Sequence, residues 1–141
     1  ATDVKNEASL AAAFDDCEKL FGHVDIVVNC SGYTGAPNVD ACERNKEDCW
    51  YYNVIAPQKT AELCNLFNIP VVHISSGCIY SGDNDYTEED VPNLGLYSDN
   101  SSFYSKSKHA GELALKDTLS ILLDLDVVTG IVTLFVFTEE Y

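Results

Sequence analysis

The sequence predicts an α/β fold, a doubly wound parallel sheet with helices on both faces, and three observations support this class. Two short apolar runs without polar alternation, typical of buried parallel strands, occur at 24–32 and 69–80. Longer segments with apolar residues at helical spacing stand before, between and after these runs. With 141 residues the chain is long enough to bury the core of one such domain.

The helices are predicted from their apolar spacing. The segment 7–21 has apolar residues at 10, 13, 14, 17, 20 and 21, and Gly22 follows it as a stop signal. A second helical segment covers 39–68 and is expected to break before Pro57, because proline lacks the N–H donor of a helix interior. A polar loop of about 20 residues, long enough to suggest a function, precedes a third helical pattern over 103–123.

Both predicted strands end in small and polar residues. The first ends in "NCSG", from Asn29 to Gly32, and the second contains "SSGC", from Ser75 to Cys78. In open parallel sheets, ligands bind beyond the carboxyl ends of the strands. The sequence therefore predicts a ligand site at this edge of the sheet.

The charge and hydropathy of the chain exclude several classes of partner. Eight basic residues against 23 acidic ones give a net charge of −15, which would repel DNA or RNA. No apolar stretch approaches the roughly 18–20 residues of a membrane span, and the first residues lack the features of a signal peptide. We therefore expect a cytoplasmic protein with no nucleic-acid or membrane partner.

The six cysteines form no CxxC pair, and the three histidines do not cluster with them. This spacing predicts neither a metal site nor a disulfide framework, so buried, reduced thiols are expected. Cys78 is the exception that needs an explanation, because it lies at the predicted end of a strand. Packing, a disulfide, metal ligation and catalysis are its four alternatives.

Tyr104 and Lys108 form a YxxxK pair, whose spacing places both side chains on one face of a helix. An ammonium near a phenol favours the phenolate, lowers the pKa of the phenol and makes it a better acid and base near neutral pH. Chance alone gives about 0.4 such pairs in a chain of this composition. The pair gains weight from the serine-ended strand that precedes it.

Four motifs together resemble the extended short-chain dehydrogenase/reductases, which act on nucleotide sugars. They are "DIVVNCSG" at 25–32, "HISSGCIYSG" at 73–82, "YTEEDVPN" at 86–93 and "FYSKSKHAGE" at 103–112. The resemblance covers roughly residues 1–116 and implies a Rossmann-like fold. The segments 31–46 and 75–80 are most similar to the 3,5-epimerase/4-reductases of nucleotide-linked rhamnose synthesis, with dTDP-4-dehydrorhamnose reductases and GDP-fucose synthases as relatives.

The resemblance implies four catalytic residues. Tyr104 would protonate the carbonyl oxygen as hydride arrives at C4 of the sugar, and Lys108 would bind the nicotinamide ribose and lower the pKa of the tyrosine. Ser76 would hydrogen-bond the carbonyl, whereas Ser75, on the other face of the strand, would be structural. Cys78 would abstract the protons at C3 and C5.

The resemblance also implies binding residues. The cofactor would contact Tyr104, Lys108, Asp3, Val4, Asn29, Cys30, Ser31, Gly32 and Asn53. The substrate would contact Ser76, Cys78, Thr34 and Asn38. For Asn53, a plain surface asparagine is the alternative, and for Cys78 it is packing at the strand end.

The implied enzyme is an NADPH-dependent 3,5-epimerase/4-reductase, with NADH as the alternative cofactor, that converts a nucleotide-linked 4-keto-6-deoxyhexose to nucleotide-rhamnose. A 4-reductase without epimerase activity and a non-catalytic dinucleotide-binding member of the fold are the rivals. A homodimer would be consistent with the relatives. The sequence does not choose between UDP, dTDP and GDP sugars.

The sequence also departs from the pattern of this group. Residues 1–116 match a dinucleotide-binding domain without its first strand and glycine-rich turn, since no GxxGxxG occurs in the chain. Residues 117–141 form a tail whose "DVVTGIVTLF" is more similar to a helix that occurs later in full-length members. We therefore hypothesise a partial chain with non-contiguous segments, inactive in isolation.

Overall fold

Three parallel strands form one sheet in the computed structural model. The structure describes residues 2–83, 86–87, 90–118 and 120–123. The strands are β1 (Val27–Asn29), β2 (Val71–Ile74) and β3 (Ser120–Leu123), in the order β1-β2-β3. Val71 at the start of β2 pairs with Val27 on one side and Ser120 on the other. The α/β class with a parallel sheet is confirmed.

Helices precede and connect these strands. They are α1 (Glu7–Phe21), α2 (Lys46–Trp50), α3 (Ala56–Leu66) and α4 (Phe103–Leu115), with 3₁₀ turns at Val39–Glu43 and Gly77–Ile79. α1 begins where the Asn6 side chain accepts hydrogen bonds from two backbone N–H groups. It ends at Gly22, whose φ of 92° favours glycine, as the sequence predicted.

The predicted break before Pro57 takes another form. The chain stays helical from Lys46 to Leu66, and a π-helical turn, Tyr51–Ile55, joins α2 to α3. Pro57 follows this turn as the second residue of α3 and has no N–H to donate within the continuous helix. The π turn buries Asn53 and Val54.

The main core lies between the sheet and three helices. It contains Val24, Ala61, Cys64, Ile69, Val71 and Leu115, with Phe14, Cys17 and Val27 packed against it. Val71 and His73 of β2 are buried, whereas Val72 and Ile74 are half-buried, so burial alternates along this strand. In the described part of the chain, α1, α3 and α4 all contribute residues to this cluster.

The helix predicted over 103–123 ends early. α4 stops at Leu115, whose carbonyl accepts hydrogen bonds from the Thr118 and Ser120 hydroxyls at 2.7 and 2.9 Å. The apolar run 120–123 is strand β3, since short apolar runs suit either structure and pairing with β2 decides. The rest of the predicted tail, 124–141, lies outside the described residues, and the assignment of 117–141 stays a prediction.

Burial of His73 predicts a pH dependence of stability. The side chain is 1% exposed, and burial, followed by the nearby Lys108 charge, lowers its pKa to about 3. The unfolded imidazole takes up a proton near pH 6.5 and the folded one does not, so the free energy of unfolding falls as the pH drops below that value. Between pH 7 and pH 5 the loss from this group is about 2 kcal/mol.

Denaturant unfolding of wild type and His73→Asn at pH 7 and pH 5 measures this loss. The variant should be less stable at pH 7 but should lose about 2 kcal/mol less on acidification. An equal loss in both proteins would contradict the assignment.

Candidate active site

The carboxyl ends of β1 and β2 lie side by side, because Asn29 pairs with His73 in the sheet register. The two predicted motifs that follow them, Asn29–Gly32 and Ser75–Cys78, therefore start from neighbouring positions. α4 packs against this edge, and the Lys108 ammonium donates a hydrogen bond to the Ile74 carbonyl at 3.4 Å. The structure thus brings the YxxxK helix to the strand ends.

Tyr104 and Ser76 form the centre of the site. Tyr104 lies in the first turn of α4 and is 7% exposed, while Ser76 is 8% exposed. The Ser76 hydroxyl lies close enough to the Tyr104 phenol to influence its pKa. Burial raises the pKa of Tyr104, and the Ser76 hydroxyl opposes this rise. This direction is opposite to the lowering by Lys108 that the sequence predicted, and burial, which disfavours the charged phenolate, is its main cause.

Gly32 lies close to the side chains of Lys108 and Asn53. Lys108 is 5% exposed. A Cβ at Gly32 would lie 3.8 Å from the Lys108 Nζ and 3.3 Å from the Asn53 Oδ1. A side chain at this position would therefore crowd Asn53 and Lys108, which explains why glycine fits here.

Asn53 is buried, not a surface residue. It is 1% exposed and lies in the π turn. Its Oδ1 accepts from the Tyr33 N–H at 2.7 Å, and its Nδ2 donates to the Tyr33 carbonyl at 3.0 Å and to the Ser107 hydroxyl at 2.9 Å. Asn53 therefore ties the segment after Gly32 to α4. It supports the site from within the protein.

Cys78 differs from the other cysteines in its exposure. All six are free; Cys78 is exposed, whereas Cys17 and Cys30 are intermediate and Cys42, Cys49 and Cys64 are buried. Burial raises the pKa of Cys42 to about 12 and that of Cys64 to about 11. Thiols with such high pKa values are poor nucleophiles and bases at neutral pH. Cys78 sits on the turn Gly77–Ile79. A negative charge at this position would raise the pKa of Tyr104.

The first strand end is internally ordered. Asn29 is 5% exposed, and its Oδ1 accepts from the Ser31 N–H at 3.0 Å and from the Ser31 hydroxyl at 2.7 Å. Cys30 is half-buried, and burial raises the pKa of its thiol. Asn29 thus shapes the turn that leads to Gly32.

The remaining predicted binding residues lie further out. Asp3 hydrogen-bonds to Lys5 and Ser9 within its own segment, and Val4 is half-buried there. Asn38 caps the turn Val39–Glu43 by accepting from the Asp40 N–H at 3.1 Å. Thr34 is exposed. No described contact joins Asp3, Val4, Thr34 or Asn38 to Tyr104, so their roles stay predictions.

Three residues that support the site were not predicted from the sequence. Glu43 accepts a hydrogen bond from the Phe103 N–H at 2.6 Å and so caps α4 from a distant segment. Ser105 donates to the Cys78 carbonyl at 2.7 Å, and Ser107 donates to the Tyr104 carbonyl at 2.7 Å. Serine is unfavourable inside helices, so two serines in α4 were a usable signal of polar partners. No signal in the sequence points to Glu43.

Parallel strands and a Tyr–Lys–Ser cluster at their carboxyl ends define a Rossmann-like α/β domain of the short-chain dehydrogenase/reductase class. The model of the family described as RmlD substrate binding domain matches residues 1–123, and the chain belongs to this family. The resemblance to the extended short-chain dehydrogenase/reductases is thereby confirmed.

Named relatives agree with this placement. A probable low-salt glycan biosynthesis reductase of Haloferax volcanii is 35% identical over 111 residues, covering 76% of this chain and 34% of that protein. The bifunctional dTDP-4-dehydrorhamnose 3,5-epimerase/dTDP-4-dehydrorhamnose reductase of Arabidopsis thaliana is 34% identical over 99 residues, covering 64% of this chain and 31% of that protein. The chain thus spans about a third of the length of these curated relatives.

A solved structure also matches. MoeE5 in complex with UDP-glucose and NAD has a TM-score of 0.56 at 28% identity, covering 76% of this chain and 34% of that one. Within the described residues, no helix is long and apolar enough to cross a membrane.

Proposed function

We propose that the chain belongs to an NADPH-dependent 3,5-epimerase/4-reductase that acts on a nucleotide-linked 4-keto-6-deoxyhexose and yields nucleotide-rhamnose. The observation that carries this proposal is the group of Ser76, Tyr104 and Lys108 at the carboxyl ends of the strands, with the exposed Cys78 on the turn Gly77–Ile79. The names of the relatives support reduction broadly and epimerisation through the bifunctional protein.

The strand end fits a nicotinamide cofactor. Gly32 presents bare backbone next to the Lys108 ammonium, which suits a ribose hydroxyl, and Asn29 orders the approach to it. When bound, the cofactor supplies the hydride for C4. We assign NADPH to this place, with NADH as the alternative, and Cys30 and Ser31 beside it.

Tyr104 and Ser76 act on the sugar carbonyl. Ser76 donates a hydrogen bond to the carbonyl oxygen, and Tyr104 donates the proton that completes the alcohol. Both side chains are buried, so their dipoles act in a medium of low dielectric and stabilise the developing charge more strongly than water would. Lys108, one turn along α4, favours the phenolate that remains.

Cys78 acts on the carbons next to the carbonyl. Protons at C3 and C5 of a 4-keto sugar are alpha to the carbonyl, so the hydrogen bonds from Ser76 and Tyr104 acidify them. The thiolate of Cys78, exposed at the rim and two residues from Ser76, accepts them. Cys78 keeps the proton that it removes, and solvent water on the opposite face of the sugar donates a proton to the carbon, which gives the epimer.

Cys78→Ser separates the proposed function from a plain 4-reductase. We expect solvent-deuterium exchange at C3 and C5 to fall by about 10²–10⁴-fold, while reduction of an already epimerised 4-keto sugar is largely retained. Mass spectrometry of the sugar measures the exchange, and loss of NADPH absorbance measures reduction. Cys17→Ser, on α1 in the main core, is the matched control.

Undiminished exchange in Cys78→Ser would remove the epimerase assignment and leave the 4-reductase. Titrating the full-length protein with NADPH and each of the UDP-, dTDP- and GDP-linked 4-keto sugars tests reduction itself. Binding of NADPH without turnover of any sugar would favour a non-catalytic member. A homodimer and a cytoplasmic location stay predictions.

A further inference from the structure

The backbone of Cys78 is held at both of its polar groups. Its N–H donates to the Ser76 hydroxyl at 3.3 Å, and its carbonyl accepts from the Ser105 hydroxyl at 2.7 Å. The first contact joins Cys78 to the preceding strand end, and the second joins it to α4. The thiol itself stays exposed.

The hydrogen bonds around Ser105 have a single consistent direction. The Ser105 hydroxyl has one proton, which it donates to the Cys78 carbonyl. The Ser102 hydroxyl lies 3.0 Å from the Ser105 oxygen and must then donate to it. The Ser102 oxygen also accepts from the Ser105 N–H at 3.1 Å as the cap of α4. A directed chain therefore runs from the helix cap to the Cys78 peptide.

We propose that Ser105 is the positioning residue that fixes Cys78 as the base for epimerisation, an inference that rests on the proposed function. Ser105 follows Tyr104 directly, so one helical turn carries both the proton donor and the anchor of the base. The helix thus sets the distance between the phenol and the thiol. Ser105 is 4% exposed and acts through Cys78 instead of contacting the sugar.

A structural role in α4 does not account for the contact. Ser102 is the N-cap of the helix, and the Ser105 hydroxyl donates its proton to the Cys78 carbonyl, which lies outside the helix. A serine in a helix usually bonds its hydroxyl to a carbonyl of the preceding turn, as Ser107 does with Tyr104.

The test compares Ser105→Ala and Ser105→Thr in the full-length protein. Ser105→Ala should lower deuterium exchange at C3 and C5 by about tenfold or more, because small misplacements of a reacting group are costly, with less than about a twofold change in reduction of an epimerised sugar. Ser105→Thr keeps the hydroxyl and should restore exchange. Thr118→Ala, which deletes a hydroxyl-to-carbonyl bond of 2.7 Å at the other end of α4, is the matched control.

Alkylation of Cys78 by iodoacetamide gives a readout that needs no substrate. Ser105→Ala should raise its rate about threefold or more as the turn loosens, and Ser105→Thr and Thr118→Ala should not. Equal losses of exchange and reduction, or an unchanged alkylation rate, would overturn the proposal. If the wild type shows no exchange at all, the proposed epimerase fails, and alkylation alone decides whether Ser105 positions Cys78.

Discussion

Replacing Tyr104 with phenylalanine is expected to lower the rate of carbonyl reduction by about 10²–10⁴-fold. The change deletes the phenolic hydroxyl and keeps the ring, which packs against Cys42 and Cys49. Since the ring supplies the packing, stability should change little. The loss should fall on kcat, because the proton transfer occurs only in the transition state.

Stopped-flow measurement of NADPH oxidation gives kcat, and fluorescence titration gives the NADPH affinity, which should stay within about twofold. Tyr97→Phe is the control, because it deletes the same hydroxyl group from a tyrosine that is 82% exposed. If Tyr104→Phe reduces the sugar at the wild-type rate, another residue supplies the proton.

Replacing Gly111 with alanine is expected to destabilise the fold by about 1–3 kcal/mol. A Cβ at this position would lie only 2.1 Å from the Asn53 carbonyl oxygen, a backbone atom of the π turn that cannot rotate away. In an open helix the same change would stabilise by roughly 1 kcal/mol, because alanine is the better helix former. The sign of the change therefore reports the packing of α4 on the π turn.

Denaturant unfolding of the 141-residue chain measures this change. Gly22→Ala is a useful contrast, because a Cβ at Gly22 would meet nothing within 4 Å and only the φ of 92° opposes alanine. It should cost about 1 kcal/mol. A Gly111→Ala protein as stable as wild type would show that α4 and the π turn do not pack this closely.

The sequence predicts those helices and strands whose structure a local pattern determines. The apolar stripe of α1 and the stop at Gly22 need no distant partner, and the strands end where small polar residues begin. Ser75 and Ser76 both follow the end of β2, and Ser75 hydrogen-bonds to Glu112 of α4. Their chemical roles stay predictions.

The sequence does not predict the features that depend on contacts between residues distant in the chain. Residues 120–123 suit a helix as well as a strand, and the free edge of β2 selects the strand. Proline at position 57 indicates an irregularity but does not reveal its form, which is a π turn shaped around buried Asn53. The cap of α4 by Glu43 spans 60 residues and leaves no trace in either segment.

The rotation of α3 about its own axis also depends on the π turn. Each residue advances an α-helix by about 100°, and a π turn holds one residue more than the regular helix would. Deleting one residue from Tyr51–Ile55 and winding the rest as α-helix would leave α3 in nearly the same rotational phase, whereas winding all five residues as α-helix would rotate α3 by about a quarter turn. Ala61 and Cys64 would then leave the core. The π turn therefore sets the rotation of α3 relative to the part of the helix that precedes it.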